Sequence, residues 1–189
     1  MSGGREAIAK AAIQIFAQMG YEGASTREIC EQAGVTKPVL YYHFQGKQHL
    51  YQELMIDSFG SYRKTLLRAS QTRGSLRQRL VHMVQTDFRA TKEDPVRVKF
   101  ILRMIFSSGQ QHPLFDYVAE MENERQIIAS VLQNGIDGGE VRGSARDLAS
   151  ALMGMQLFAT LEYLFTGRKT LSRRRAEMCV DLLLQGCRT

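Results

Sequence analysis

The sequence predicts an all-α chain of nine helices in two parts, a three-helix head carrying a helix-turn-helix and a longer helical body. Three observations carry this. Apolar residues recur at three-and-four spacing along nearly the whole chain, which is the period of one face of an α-helix. Stretches of this kind begin after Ser25, Ser75, Asp94, Ser144 and Ser172 and stop at Gly20, Gly34 and Gly167, residues that start and end helices. Finally, Gly34-Val35 leaves room only for a tight turn between two short helices.

Composition sets limits without choosing a function. A chain of 189 residues with 44% hydrophobic and 23% charged residues can bury a substantial core. The net charge of +6 favours an anionic partner, and nucleic acid, membranes and acidic metabolites all qualify. Cys30, Cys179 and Cys187 are odd in number and lack CxxC spacing, so they read as reduced thiols of a cytoplasmic protein rather than as a disulfide framework or zinc site. No uninterrupted apolar run of about 18 residues suggests a membrane span, and Met1 to Gly4 leads directly into an amphipathic helix.

In chain order, the first helix runs from Arg5 to Met19 with Ile8, Ala11, Ala12, Ile15, Phe16 and Met19 as its stripe, and Gly20 stops it. Ser25 with Glu28 three residues on is a capping box, so a second helix starts at Thr26, turns Ile29, Cys30 and Ala33 inward and ends at Gly34. Thr36 or Lys37 caps the third helix, about Pro38 to Phe44, since proline fits a helical first turn but disfavours helix in the residue before it. That helix is too short to stand alone. Leu40 and Phe44 are its inward contacts, while Lys37, Pro38, Tyr41 and Tyr42 share the opposite face with His43 beside them. Such a polar, aromatic and basic face suits phosphate oxygens and base edges. A head of about 45 residues is marginal alone, so it should lean on the helix from Lys47 toward Arg68, which is also the lever between head and body.

In the body, Ser75 caps a helix with Leu76, Leu80, Met83, Val84 and Phe88, and Asp94-Pro95 starts one with Val96, Phe100, Ile101, Met104 and Ile105. His112-Pro113 is expected to start a helix with Phe115, Val118, Met121, Arg125 and Ile128 that ends near Gly135. Ser144 caps a helix of more than 20 residues that is apolar on more than one side, and Leu171-Ser172 begins the last. These two final helices are the expected dimer surface, with Ala151, Gly154 and Ala159 allowing close approach. The stretch from Arg63 to Arg103 is strongly basic, which reads mostly as solvated helix faces.

The run STREICEQAGVTKPVLYYHFQGKQHLY, preceded by Met19-Gly20-Tyr21, resembles the DNA-binding domain of the TetR family of transcriptional regulators across roughly Arg5 to Leu54. The resemblance implies a helix-turn-helix DNA-binding domain over residues 1–46 and a helical effector-binding and dimerisation domain over 47–189, with the helix from Lys47 shared. It implies that Thr26 meets phosphate and Arg27 a base, that Lys37, Pro38, Tyr41 and Tyr42 face the major groove with Thr36 at the entry, and that His43 and Lys47 hold phosphates. It also implies an effector pocket, for which Tyr62, Met83, Phe88, Phe100, Arg103, Met104, Met121, Arg125, Met155 and Phe158 are the candidates. For each of these residues a plain core role stands beside the pocket role.

The expected function is a ligand-responsive repressor that binds a palindromic operator as a homodimer and is released by a small molecule, acidic or amphipathic given the basic middle of the chain. A constitutive or architectural DNA binder without effector is the alternative. No cofactor, metal or catalytic residue is expected, since His43, His49, His82 and His112 lack nucleophile or carboxylate partners in pattern and no HExxH or phosphate loop occurs.

Overall fold

The computed structural model describes residues 2–107 and 113–186, and among these residues it contains nine α-helices and no strand. His112 as a helix start and Cys187 as a thiol fall outside the described residues. The helices are α1 (Ser2–Gly23), α2 (Thr26–Ala33), α3 (Lys37–Phe44), α4 (Lys47–Ser70), α5 (Leu76–Glu93), α6 (Pro95–Phe106), α7 (Tyr117–Asp137), α8 (Ala145–Thr166) and α9 (Arg173–Gln185). The expected start of α7 is corrected from His112-Pro113 to Tyr117, so Phe115 precedes the helix. Its end moves from Gly135 to Asp137, and Gly135 lies within the helix at a close approach, where a Cβ would come 2.4 Å from Leu76 Cδ2.

The local signals act as chemistry requires. Gly20, at φ 77°, interrupts α1 where the stop is expected. Ser25 Oγ accepts from the Glu28 N–H at 3.1 Å, and Glu28 Oε2 accepts from the Ser25 N–H at 2.9 Å. Ser25 Oγ also donates to Glu28 Oε2 at 2.7 Å, and this bond, followed by that from the Ser25 N–H, holds the Glu28 carboxyl below its usual range. Asp94, Ser144 and Ser172 cap α6, α8 and α9 in the same manner, each accepting from the backbone N–H three residues on.

The helices assemble into two compact units. The first takes the chain up to Gly60 together with Asp94–Tyr117, and the second takes Ser61–Glu93 together with the chain from Val118. In the first, Phe16 of α1 is fully buried, stacked 5.9 Å from Tyr21 and 5.8 Å from Phe100 of α6, with Tyr51 of α4 edge-on at 6.0 Å. Ile8, Ile29, Leu40, Phe44, Leu50 and Met55 complete this core. A three-helix head encloses too little apolar surface by itself. It gains the missing wall from α4, as expected, and also from α6, which the sequence places in the body. Phe100 and Met104, expected around an effector, are thus core residues of the first unit, and Arg103 beside them is exposed.

The second unit is built on Leu66 of α4, Leu80, Val84 and Phe88 of α5, Ile128 and Leu132 of α7, Leu152 of α8 and Val180 of α9. Among the described residues α8 is the one helix long and apolar enough by composition to cross a membrane. One face, with Ala149, Leu152, Gln156 and Ala159, is buried, whereas Phe158 and Phe165 on other faces are 69% and 84% exposed.

Candidate nucleic-acid interface

The outward face of α3 is positioned from behind. Leu40 and Phe44 are buried among α1, α2 and α4, and the Arg5 guanidinium lies 4.9 Å over the Phe44 ring while pairing with Glu53. Gly34, at φ 66°, ends α2 and sends its N–H back to the Cys30 and Glu31 carbonyls, so α3 begins three residues later with Pro38 in its first turn. Thr36 occupies the N-cap position, although its side chain makes no capping bond, and it is exposed.

The structure brings the residues singled out on α3 onto the surface. Tyr42 is 81% exposed and Tyr41 51%, and Lys37 and Pro38 are exposed as well. Two large aromatic side chains held in water on an eight-residue helix are unfavourable unless something covers them. His43 is half-buried, with its ring 5.1 Å from that of Tyr42 and 6.3 Å from that of Phe44. Val39 is partly buried against the core. At about 1.5 Å per residue, α3 is ~12 Å long, comparable with the width of a DNA major groove.

Thr26 is half-buried in the first turn of α2, and Arg27 next to it is exposed. Arg27 Nε donates to Glu31 Oε1 at 2.8 Å one turn along. Exposed pairs of this kind are weak, so a phosphate or base can replace the carboxylate. Lys47 differs from the picture of a free ammonium. Its Nζ donates to the carbonyl oxygens of Tyr21 at 3.0 Å and Ala24 at 3.1 Å and sits 4.2 Å from the centroid of the Tyr21 ring. Lys47 therefore fastens the start of α4 to the link between α1 and α2, and the anion-attracting feature left at this end is the first turn of α4 itself, which has no acidic residue.

Gln45 escaped sequence reasoning. It is exposed and left-handed, at φ 55°, and its N–H returns to the Tyr41 carbonyl, so α3 and α4 are joined by two residues. The signal available was the following Gly46, at φ 129°, but a non-glycine residue at positive φ has no local signature of its own.

The sequence pattern of the bacterial regulatory proteins of the tetR family matches residues 8–54, which cover α2, α3, most of α1 and the start of α4. Residues 8–54 carry the DNA-binding domain of the TetR family. The chain is 27% identical to the HTH-type transcriptional regulator YdgC of Bacillus subtilis over 96% of its own length and 91% of that protein's. It is 27% identical to the HTH-type transcriptional repressor KstR2 of Rhodococcus jostii over 75% of its length and 69% of that protein's. The solved structure of the fatty acid degradation regulator FadR from Bacillus halodurans superposes with a TM-score of 0.83 at 18% identity, covering 97% of this chain and 95% of that one, a likeness of fold. The protein is accordingly a DNA-binding transcriptional regulator of helix-turn-helix type.

The residues expected around an effector divide between the two units. Phe100, Arg103 and Met104 belong to the first. In the second, Met83 and Phe88 are buried core, Met155 is half-buried, and Met121 and Phe158 are exposed. Arg125 pairs with Glu122, and Tyr62 donates its hydroxyl to Glu124 Oε1 at 3.1 Å. Glu124 and its neighbour Asp87 escaped sequence reasoning, because a single acid in an amphipathic helix looks like part of its wet face.

Proposed function

We propose that this TetR-family regulator is a cytoplasmic, non-enzymatic repressor that binds a palindromic operator as a homodimer and leaves it when a small molecule occupies its body. The observation that carries the DNA half is the exposed face of α3, where Lys37, Pro38, Tyr41 and Tyr42 stand on a helix fixed from behind by Leu40 and Phe44. Thr26 and Arg27 on α2 and His43 and the first turn of α4 would flank it as phosphate contacts, with Lys47 acting chiefly by holding α4 in place. Residues 1–46 would be the DNA-binding domain and 47–189 the effector-binding and dimerisation domain.

The dimer half is supported by α8 and α9. Leu157, Phe158, Phe165, Met178 and Leu182 are exposed on them, and a Cβ added at the exposed Gly154 would meet no atom within 4 Å. Two helices from each chain would make a four-helix contact about a two-fold axis and present two heads to half-sites about 34 Å apart. Release would be a population shift, because a ligand that prefers one head spacing removes the other. The elements able to carry it are α4, which begins beside α3, and α6, which packs on α1. The basic side chains that suggested an acidic effector do not converge. Arg103 is exposed in the first unit, and Arg63 and Arg125 pair with Glu120 and Glu122.

The test is fluorescence anisotropy of the full chain with the duplex upstream of its own gene and with a scrambled duplex, over a range of salt. Tight binding to the first alone, with a steep inverse salt dependence, is expected. Equal binding to both, followed by failure to select any site from random duplexes, would overturn the reading. Specific binding that no metabolite alters would instead indicate a constitutive DNA binder.

A further inference from the structure

Four helices of the second unit each send one polar side chain to the same half-buried place. Tyr62 of α4 donates to Glu124 Oε1 of α7 at 3.1 Å, and Gln156 Nε2 of α8 donates to Asp87 Oδ2 of α5 at 3.4 Å. One turn from each along its own helix lies a fully buried apolar residue, Leu66, Ile128, Leu152 and Met83 respectively. Gln156 is buried while Tyr62, Asp87 and Glu124 are half-buried, so the group lies against the hydrophobic core at its edge.

Donors and acceptors in this group do not balance. Two carboxyl groups and the Gln156 carbonyl face one hydroxyl and one amide NH2. Gln156 is only 5% exposed, and its Oε1 has no hydrogen-bond partner. Turning the amide over would not help, because it would place that oxygen against the Asp87 carboxylate. Among the described residues neither Asp87 nor Glu124 forms an ion pair, since the nearby arginines are engaged elsewhere: Arg63 with Glu120, and Arg125 and Arg146 with Glu122. Burying acceptors without donors is costly, and it persists where something else supplies the donors.

We propose that Asp87, Glu124, Tyr62 and Gln156 form the effector site of this regulator, and that its ligand is a protonated amine with an apolar body. The ammonium group supplies positive charge between the two carboxylates and N–H donors to them and to Gln156 Oε1, while the apolar body rests on the surrounding core. An anion is rejected there by the same carboxylates, and a neutral apolar molecule leaves the acceptors unpaired. Burial with no counter-charge raises Glu124 to about 7, with Asp87 adding to it, and burial raises Asp87 to about 6. A bound cation reverses the penalty, so binding near neutral pH releases protons. This inference rests on the reading of the protein as an effector-responsive regulator and names the chemistry of its effector.

The test is isothermal titration calorimetry of the full chain, free of DNA, with decylamine, decanol and decanoate, which share an apolar body and differ in charge. Decylamine is expected to bind at least about tenfold more tightly than either of the others. Its binding should release protons at pH 7, read as a difference in heat between Tris and phosphate buffers. The double variant D87N/E124Q should lose at least about tenfold in amine affinity and abolish that proton release. Decanoate binding as well as the amine, no amine binding below about 1 mM, or unchanged binding in the double variant would each overturn the proposal. The proton count on the unmodified protein decides the matter if the variant does not fold, since absence of release there also overturns it. Failure of amine binding with operator binding intact would defeat this inference alone. Amine binding by a protein that recognises no duplex would defeat the regulator reading instead.

Discussion

The two units treat buried polarity in opposite ways. In the first, the buried Ser58 hydroxyl donates to the Leu54 carbonyl at 2.6 Å and accepts from Arg97 Nη1 at 3.1 Å, and the Tyr51 hydroxyl bonds that of Tyr117. Aromatic rings from α1, α4 and α6 fill the space between. In the second, among the described residues, two half-buried carboxyls stand against the core without counter-ions and a buried amide oxygen has no partner. A satisfied, ring-packed core holds α3 in one position, which suits a surface that must match a rigid duplex. A core carrying unpaired acceptors is held below its attainable stability, which suits a part that must answer a ligand.

The most severe way to break this contrast is to hollow the first core. Phe100→Ala should cost about 3–5 kcal/mol, read by chemical denaturation, because a ring stacked on Phe16 leaves a cavity. Operator affinity should fall with it even though Phe100 is buried away from any DNA-facing surface.

Next in size is a pH effect confined to the second core. Glu124 and Asp87 have folded values raised to about 7 and about 6, above the ordinary 4.5 and 3.8. The folded state then holds protons that the unfolded chain has released. The stability these protons contribute is complete below about pH 4 and is lost as pH rises through 6 to 7. Unfolding free energy at pH 5.5 should exceed that at pH 8 by about 2 kcal/mol, and D87N/E124Q should flatten the difference. A rise in stability over that interval in the unmodified protein would contradict the burial of these groups.

Lys47→Met sharpens the comparison at the junction of α1, α2 and α4. It removes two hydrogen bonds to backbone carbonyls and should cost about 1–2 kcal/mol of stability, with a loss of operator affinity that follows from it. Smallest in stability is Tyr42→Ala. With its ring in water, the melting curve should move by less than about 0.5 kcal/mol, while operator affinity should fall by about 1–3 kcal/mol. A variant that unfolds instead would mark Tyr42 as a packing residue.

Much of the fold and of the outward face of α3 was legible because the signals are short-range. The capping box of Ser25 and Glu28, the left-handed Gly34, Pro38 in a first turn and the stripe of α1 each concern residues within a few positions of one another, and each appears where chain order requires it. Exposure of Tyr41 and Tyr42 follows from Leu40 and Phe44 claiming the other side of a helix of two turns.

The sequence by itself determined which segments are helical, where they begin and end, and which face of α3 looks outward, since near neighbours along the chain decide these. Tertiary structure alone decided that α6 walls the first core, so that Phe100 and Met104 lie under the head rather than around a ligand. It alone brought Tyr62, Asp87, Glu124 and Gln156 together from four helices, so that acids resembling a wet face stand half-buried against the second core. The reason is physical: helix period and capping act over a turn or two, whereas the environment that makes a carboxyl costly or useful is set by groups distant in the chain.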